Sequence, residues 1–190
     1  MSRDDLIRVM STTMQTTDQS VLDHGRSVVL HHQQLMDHLR HGASLPEWWR
    51  LPAWIKRPGL LEQLPGDDIM REYHEFHDCG KPFCRTLDDQ GRAHYPDHAA
   101  WSERVWREMG GHPLAAYLMG RDMDAHLLKG ENIAEFARKP WAAALLLTAL
   151  SEIHSNALIF GGINSDSFKI KAKNLDKRGG QAWALIAQTK

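Results

Sequence analysis

The sequence contains few cysteines. Cys79 and Cys84 are the only two among 190 residues. They are too few for a disulfide framework, and two free thiols fit a reducing compartment. Four residues separate them and no second cysteine pair follows, so the spacing does not favour a zinc finger.

Long apolar runs are also missing. The longest apolar stretch, from Trp141 to Leu150, is too short to cross a bilayer and is typical of a buried core helix. The first five residues include three charged side chains, and no apolar run follows them. We therefore expect no signal peptide, no membrane partner and a cytoplasmic location.

Neither sign of charge is in large excess, since the chain has 23 basic and 24 acidic residues. This balance does not indicate a general nucleic-acid binder, although a local basic patch stays open. Internal repeats and low-complexity segments are absent, and no stretch alternates in the way that a strand requires. The chain length and the helical periodicity predict a single all-α domain over residues 1–190.

Residues 43–66 interrupt the helical pattern. This segment holds four prolines and three tryptophans, Trp48, Trp49 and Trp54. Prolines at this density break helices, whereas tryptophans need burial. We predict an insert with short helical turns that packs on the domain or covers a cleft. A structural clip, a substrate lid and a partner surface all stay open.

Capping and breaking residues predict where the helices begin and end. Asp18 or Ser20 is expected to cap a helix that reaches at least Leu39, and Asp67 and Asp68 to cap one that runs to about Cys79. Further helices are expected to begin at residues 96–97, 113 and 140. Residues 165–180 are expected to be basic and irregular, followed by a last short helix over residues 182–188.

The adjacent pair His77-Asp78 is the most informative motif. It can offer one imidazole nitrogen and one carboxylate oxygen to the same metal cluster, and Gly80-Lys81 follows directly. In a helical bundle, metal sites are built from side chains on facing helices. Further candidate ligands lie on separate predicted helices: His24, His98, Asp122, Asp124, Glu152 and His154.

These motifs resemble those of the HD-domain superfamily of metal-dependent phosphohydrolases. The matching segments are residues 23–27 around His24, residues 77–81, and residues 95–98, in which an aromatic and a proline precede His98. Residues 119–123 and 150–153 resemble the later motifs, so the likeness covers about residues 20 to 160. The resemblance implies an HD-domain helical bundle, with the Trp- and Pro-rich insert between the first two ligand helices.

The resemblance also implies a ligand set for one or two divalent metals, drawn from Mn, Ni, Co, Fe, Zn and Mg. One ion would be held by His24, His77, Asp78 and Glu152. The other would be held by Asp78, His98 and a residue of the segment 122–126, with Asp78 bridging. Asp78 and Lys81 would serve catalysis, with Lys81 neutralising the phosphoryl oxygens.

Two positions depart from the family pattern. Asp122 stands where a His is usual, and Glu152 stands where an Asp is usual. Carboxylate oxygens still suit Mg²⁺, Mn²⁺ or Fe. Asp124 or His126 is the alternative to Asp122, and His154 is the alternative to Glu152.

A basic segment follows the last predicted ligand helix. Five basic residues lie within ten positions: Lys169, Lys171, Lys173, Lys177 and Arg178. They form either a solvated charge run or a phosphate-binding arm that suits a nucleotide or a polynucleotide end. For the second case, Lys169, Lys171, Lys173 and Arg178 are the candidate phosphate ligands, together with Lys81.

A narrower resemblance concerns the HD phosphatase module of bacterial RNA-repair enzymes that is fused to a polynucleotide kinase. His77, Asp78, Lys81, His98 and residues 153–157 and 168–171 carry it, whereas no P-loop motif occurs. It implies a phosphomonoesterase that removes 3′- or 2′-phosphate from nucleic-acid ends, or phosphate from nucleotides, by attack of a metal-activated water. The alternatives are a nucleoside triphosphate hydrolase or cyclic-nucleotide phosphodiesterase, and a non-catalytic HD binding or regulatory module. The choice between monomer and homo-oligomer stays open.

Overall fold

A computed structural model of the chain describes residues 1–188. It is mostly helical, which confirms the all-α expectation at the level of fold class. The helices are α1 (Arg3–Thr12), α2 (Val21–His41), α3 (Asp67–Phe76), α4 (Lys81–Cys84), α5 (His98–Glu108), α6 (Pro113–Gly120), α7 (Asp122–His126), α8 (Ile133–Ala137), α9 (Ala142–Ser155) and α10 (Asp166–Ile186).

The chain divides into two compact units. Unit 1 comprises Met1–Ser27 and Gly66–Asp122, and unit 2 comprises Val28–Pro65 and the described residues from Met123 onward. The prediction of a single domain is not tested by this division and stays a prediction.

In unit 1, α6 packs against both α3 and α5, and α4 packs against α5 and α1. Short polar side chains begin the first two helices. Ser2 and Asp5 form a reciprocal capping box at α1. At α2, the Ser20 hydroxyl accepts a hydrogen bond from the backbone N–H of Asp23 over 3.1 Å, so Ser20 is the cap of the two candidates.

In unit 2, α10 packs against α8 and α9. Helix α9 is buried along almost its whole length, as its lack of charge predicts. The insert contains two 3₁₀ turns, Ala53–Lys56 and Leu61–Gln63, which confirms the prediction of short helical turns. Trp49 and Trp54 are buried, and the first 3₁₀ turn packs on α10.

The prediction that residues 165–180 are irregular is wrong, because α10 runs without a break from Asp166 to Ile186. Gly179 lies inside this helix, where its lack of a side chain allows close packing. A Cβ atom at this position would lie 2.8 Å from Nε1 of Trp54. Ser165 caps the helix by accepting a hydrogen bond from the N–H of Phe168 over 3.1 Å.

The structure also contains a two-stranded antiparallel hairpin that the sequence pattern did not predict. Strand β1 (Thr86–Leu87) pairs with β2 (Ala93–His94). Both strands are exposed and only two residues long, so they show no alternation of apolar and polar residues. A turn joins the two strands, and the Asp88 carboxylate organises it by accepting hydrogen bonds from the backbone N–H groups of Gln90 and Arg92, both over 2.9 Å.

Among the described residues, no helix combines the length and the apolar character that a membrane span requires.

Candidate metal centre

His77 and Asp78 lie in the turn that joins α3 to α4 in unit 1. Each side chain is only 1% exposed. The turn is held by two backbone hydrogen bonds, from Cys79 N–H to the carbonyl of Phe76 and from Lys81 N–H to the carbonyl of Asp78, each over 2.9 Å. A helix end therefore places an imidazole and a carboxylate side by side in the interior of the unit.

Three imidazoles surround the Asp78 carboxylate. Nε2 of His77 lies 3.4 Å from Oδ2 of Asp78, and Nε2 of His24 lies 3.7 Å from the same oxygen. Nε2 of His98 lies 3.6 Å from the other oxygen, Oδ1. The three histidines come from α2, the α3–α4 turn and the start of α5. Unit 1 thus brings four of the six predicted metal ligands together around one carboxylate.

The distances between these atoms suit an ion held among them. Two ligands about 2.1 Å from one ion stand about 3.0 Å apart at a right angle and about 3.4 Å apart at a tetrahedral angle. The His77 distance of 3.4 Å matches the tetrahedral value, and the distances of 3.6 Å for His98 and 3.7 Å for His24 are slightly longer. His24 and His77 also offer ring nitrogens within 4.8 Å of each other. The buried histidine and aspartate groups of unit 1 can therefore hold a metal ion.

Backbone carbonyls fix the orientation of two of the rings. Nδ1 of His77 lies 2.8 Å from the carbonyl oxygen of His74, and Nδ1 of His98 lies 3.2 Å from that of Tyr95. A carbonyl only accepts hydrogen bonds, so Nδ1 carries the proton in both rings. The lone pair is then on Nε2, the atom that faces Asp78. Ligating histidines in proteins are held in this manner.

Lys81 lies beside the same carboxylate. Its ammonium donates hydrogen bonds to Oδ2 of Asp78 over 2.5 Å and to Oε1 of Gln15 over 2.7 Å. The ammonium also lies 5.6 Å from the centre of the Tyr95 ring, and the Tyr95 hydroxyl donates to the carbonyl of Met14. The Lys81 side chain is thereby held in one position over the candidate centre.

The electrostatics keep the central carboxylate ionised. Burial opposes the charge on Asp78, but the adjacent Lys81 ammonium outweighs burial and holds the pKa of Asp78 well below its usual range. Asp78 is thus an anion throughout the neutral range, as a metal ligand must be.

Two glycines allow the elements that carry these side chains to approach closely. A Cβ atom at Gly25 would overlap the backbone of residues 74–75, and one at Gly80 would overlap the backbone of His98 and Ser102. The N–H of Gly80 also donates to the Ser102 hydroxyl over 2.9 Å. Gly25 and Gly80 each lie in a predicted ligand motif, and the lack of a side chain at these positions permits the close backbone packing.

Asp122 also belongs to unit 1, where it is buried. Its Oδ1 accepts a hydrogen bond from the Tyr73 hydroxyl over 2.5 Å. No local sequence pattern predicts this hydrogen bond, since Tyr73 precedes Asp122 by 49 positions.

The remaining predicted ligands lie in unit 2. His126 and Glu152 share a hydrogen bond, with Nε2 of His126 lying 2.8 Å from Oε2 of Glu152. Asp124 pairs with the Lys139 ammonium over 2.8 Å. As metal ligands, Asp122, Asp124, His126 and Glu152 stay predictions.

His154 uses both ring nitrogens in hydrogen bonds to the backbone of unit 2. Nδ1 donates to the carbonyl of Leu150 over 2.8 Å, and Nε2 accepts from the N–H of Arg50 over 3.0 Å. The ring stacks on Trp49 with 4.1 Å between centroids. Burial lowers the pKa of His154 to about 4. In this arrangement, His154 is a neutral packing residue that anchors the insert.

The predicted phosphate ligands of the basic segment lie on two faces of α10. Lys169 and Lys173 line one cavity of about 510 Å³ in unit 2. Lys171 and Arg178 line another of about 400 Å³. Helical periodicity separates the two pairs, because residues four or seven positions apart share a face.

Three residues that hydrogen-bond to predicted site residues or their motifs were not predicted from the sequence: Gln15, Tyr73 and Ser102. Gln15 precedes Lys81 by 66 positions and lies in an irregular segment, so no periodicity connects them. A polar residue before a capped helix was the only local signal, and it is too general to identify a site residue.

Comparison with protein-family models, with curated proteins and with solved structures finds no match to this chain.

Proposed function

We propose that the protein is a metal-dependent phosphohydrolase of the HD type. The observation that carries the proposal is the Asp78 carboxylate in unit 1, with the Nε2 atoms of His24, His77 and His98 within 3.7 Å of its oxygens. The resemblance of the motifs supports the same class. A carboxylate in contact with three imidazoles is a ligand set for a transition metal.

A bound divalent metal supplies Lewis-acid polarisation of a phosphoryl oxygen and lowers the pKa of a bound water. His77 and His98 keep their Nδ1–H groups on backbone carbonyls and so direct Nε2 inward. Asp78 presents Oδ2 toward His24 and His77 and Oδ1 toward His98, an arrangement that suits a bridging ligand.

Lys81 provides positive charge at the same place. Its ammonium donates a hydrogen bond to Asp78, and it has three N–H donors. A phosphoryl group that binds beside Asp78 would accept a hydrogen bond from one of these N–H groups. Charge that develops on the phosphoryl oxygens would then be neutralised in a partly buried site, where such contacts have their greatest effect.

The proposed substrate class is a phosphomonoester on a nucleotide or on the 3′ or 2′ end of a nucleic acid. The narrower resemblance supports this class. Of the α10 cations, Lys171 and Arg178 also support it, since they are exposed or half-buried and line the same cavity in unit 2. Asp122 and Glu152 as further ligands are part of the proposal, and metal analysis of Asp122→Asn and Glu152→Gln tests them individually.

The test is hydrolysis by metal-stripped protein that is reloaded with Mn²⁺, Ni²⁺, Co²⁺, Fe²⁺, Zn²⁺ or Mg²⁺ separately. The substrates are p-nitrophenyl phosphate, bis-p-nitrophenyl phosphate, a nucleoside triphosphate, a cyclic nucleotide, and oligonucleotides with a 3′- or 2′-phosphate. We expect release of phosphate from the monoesters and loss of activity in His77→Ala. His41→Ala removes an exposed imidazole and serves as the control. Hydrolysis of only the triphosphate or the cyclic nucleotide would favour the alternative enzymes, and no turnover with any metal would favour a binding module.

A further inference from the structure

A cavity of about 400 Å³ lies within unit 2, between the end of α9 and one face of α10. Its volume is within the range of about 300 to 1,000 Å³ that small-molecule sites occupy. The side chains around it include two cations, two amides and several apolar groups, which is the composition of a site for a charged ligand with an apolar part.

One face of α10 supplies the polar side. Lys171, Asn174 and Arg178 line the cavity and are separated by three and four positions. Residues at this spacing form one stripe along a helix, about 10 Å long from the first to the third. Lys169 and Lys173 lie on another face and line a different cavity.

The two cations of the cavity contact an aromatic ring and an amide. Within residues 1–188, neither Lys171 nor Arg178 forms an ion pair. The Arg178 guanidinium donates to the Gln181 amide over 3.1 Å, and the Lys171 ammonium lies 4.8 Å from the centre of the Phe160 ring. The one acid that lines the cavity, Glu152, hydrogen-bonds to His126. The cavity therefore carries net positive charge.

Another part of the cavity wall is apolar and aromatic. Phe160 and Ile153 line it, and Ile170 stands at its edge with 60% of its surface exposed. Inorganic phosphate would need only the cations, so this wall suits a phosphorylated compound with a planar apolar portion. Stacking of a base on an aromatic ring contributes about 1–3 kcal/mol.

A buried amide oxygen is the second observation that points to a ligand. Asn156 lines the cavity, and its Oδ1 is buried with no hydrogen-bond partner among the described residues. An unpaired buried acceptor is destabilising, and a rotation of the amide exchanges its oxygen and nitrogen without a change in shape. A ligand that carries both donors and acceptors, as a nucleobase does, would satisfy this group.

From these contacts we infer that the cavity binds a nucleotide, with Lys171 and Arg178 on its phosphate and Phe160 against its base. The ligand is either a free mononucleotide or the terminal nucleotide of a strand, since both present the same groups. The inference deepens the proposed function by assigning a location to substrate recognition, and it rests on that function only for the link to turnover.

The test is equilibrium binding of adenosine 5′-monophosphate to the full chain, measured by calorimetry in excess EDTA. EDTA removes metal, so binding does not depend on the candidate metal centre and the probe is not hydrolysed. We expect saturable binding of one equivalent. Lys171→Gln/Arg178→Gln should weaken binding about 100-fold, because two hydrogen bonds to a charged group are lost.

The matched control is Lys169→Gln/Lys173→Gln, which removes the same charge from the same helix on another face. It should change the affinity by about twofold or less, as expected for distant exposed charges. Phe160→Leu should weaken binding of the nucleotide and leave binding of ribose 5-phosphate unchanged. Circular dichroism of each variant verifies that the helices are intact.

Three results would overturn the inference: no binding to the wild-type chain, equal losses in both double variants, or inorganic phosphate binding as tightly as the nucleotide. A 3′-phosphorylated dinucleotide that binds more tightly than the mononucleotide would identify a strand end as the ligand, and the reverse order a free nucleotide. Nucleotide binding without hydrolysis of any phosphoester would contradict the proposed function alone. Hydrolysis without nucleotide binding in EDTA would contradict this inference alone.

Discussion

The ammonium of Lys81 donates a hydrogen bond to Oδ2 of Asp78 over 2.5 Å, in the interior of unit 1. Asp78 is 1% exposed, so its charge is shielded from water and depends on its neighbours for stabilisation. Because Lys81 follows Asp78 by three positions, one turn of backbone brings the two groups together. This pair therefore contributes both to the stability of the fold and to the chemistry that we propose.

Lys81→Gln tests the role of the ammonium in turnover. We expect kcat to fall about 100- to 1,000-fold, because a preorganised charge near the phosphoryl oxygens is removed. Metal content by mass spectrometry should stay unchanged, since Lys81 has no lone pair to offer when it is charged. Unchanged turnover would contradict the proposed role, and loss of metal would show that Lys81 only shapes the ligand set.

The same variant should be unstable without metal. Removal of one partner from a buried ion pair leaves the other charge uncompensated, which costs about 3–5 kcal/mol. We expect the free energy of unfolding of Lys81→Gln to fall by roughly this amount in EDTA and to recover when a divalent metal is added. Urea unfolding with and without metal measures both values. An equal loss in the two conditions would contradict a metal bound at Asp78.

Gln15 is expected to position Lys81. Its Oε1 accepts from the Lys81 ammonium over 2.7 Å, and a hydrogen bond to a charged group contributes about 1.5–3 kcal/mol. Gln15→Ala should therefore lower kcat about tenfold or more, with little change in KM and in metal content.

Gln19→Ala is the matched control for Gln15, because it lies in the same segment and its side chain forms no hydrogen bond with the described residues. Gln15→Glu should recover part of the lost activity, since a carboxylate also accepts from Lys81. If Gln15→Ala and Gln19→Ala behave alike, the segment and not the amide determines the effect.

His154 predicts a pH dependence of stability in unit 2. Its folded pKa of about 4 is below the ordinary value of 6.5, so the unfolded chain binds a proton more readily between these values. The contribution of the neutral His154 ring to the free energy of unfolding is present above pH 6.5 and is lost as the pH falls toward 4. From pH 7 to pH 5 this linkage amounts to roughly 2 kcal/mol.

The measurement is urea unfolding of the wild type and His154→Gln at several pH values in EDTA. The variant should show a smaller loss of stability between pH 7 and pH 5, by roughly the linkage energy. His41→Gln, which removes an exposed histidine, should retain the wild-type slope. Equal slopes for His154→Gln and the wild type would show that His154 is protonated as readily in the folded protein as in the unfolded chain.

Local patterns in the sequence were sufficient for much of the fold. Apolar periodicity and helix caps predicted the helical class, and Ser20 and Pro113 do begin helices. Proline density predicted the short turns of the insert. The unbroken course of α10 was not predicted, because Gly179 packs against the Trp54 ring, a contact that no local pattern shows.

The core of the candidate centre was also visible in the sequence. His24, His77, Asp78, Lys81 and His98 do come together in unit 1, although 74 positions separate the first from the last. The contacts of Gln15 and Tyr73 could not be predicted from the sequence. The Gln15 contact depends on the path of an irregular segment, and the Tyr73 contact is made by a hydroxyl that any buried tyrosine carries. Such pairs follow from tertiary packing and have no spacing rule.

The most direct test of the central claim is the metal content of purified protein, measured by inductively coupled plasma mass spectrometry for the wild type, His77→Ala, Asp78→Ala and the control His41→Ala. We predict bound transition metal in the wild type and the control, and its loss together with phosphatase activity in both centre variants. Metal retained at full occupancy in His77→Ala and Asp78→Ala, with the helices intact, would contradict the claim that these residues form a metal centre.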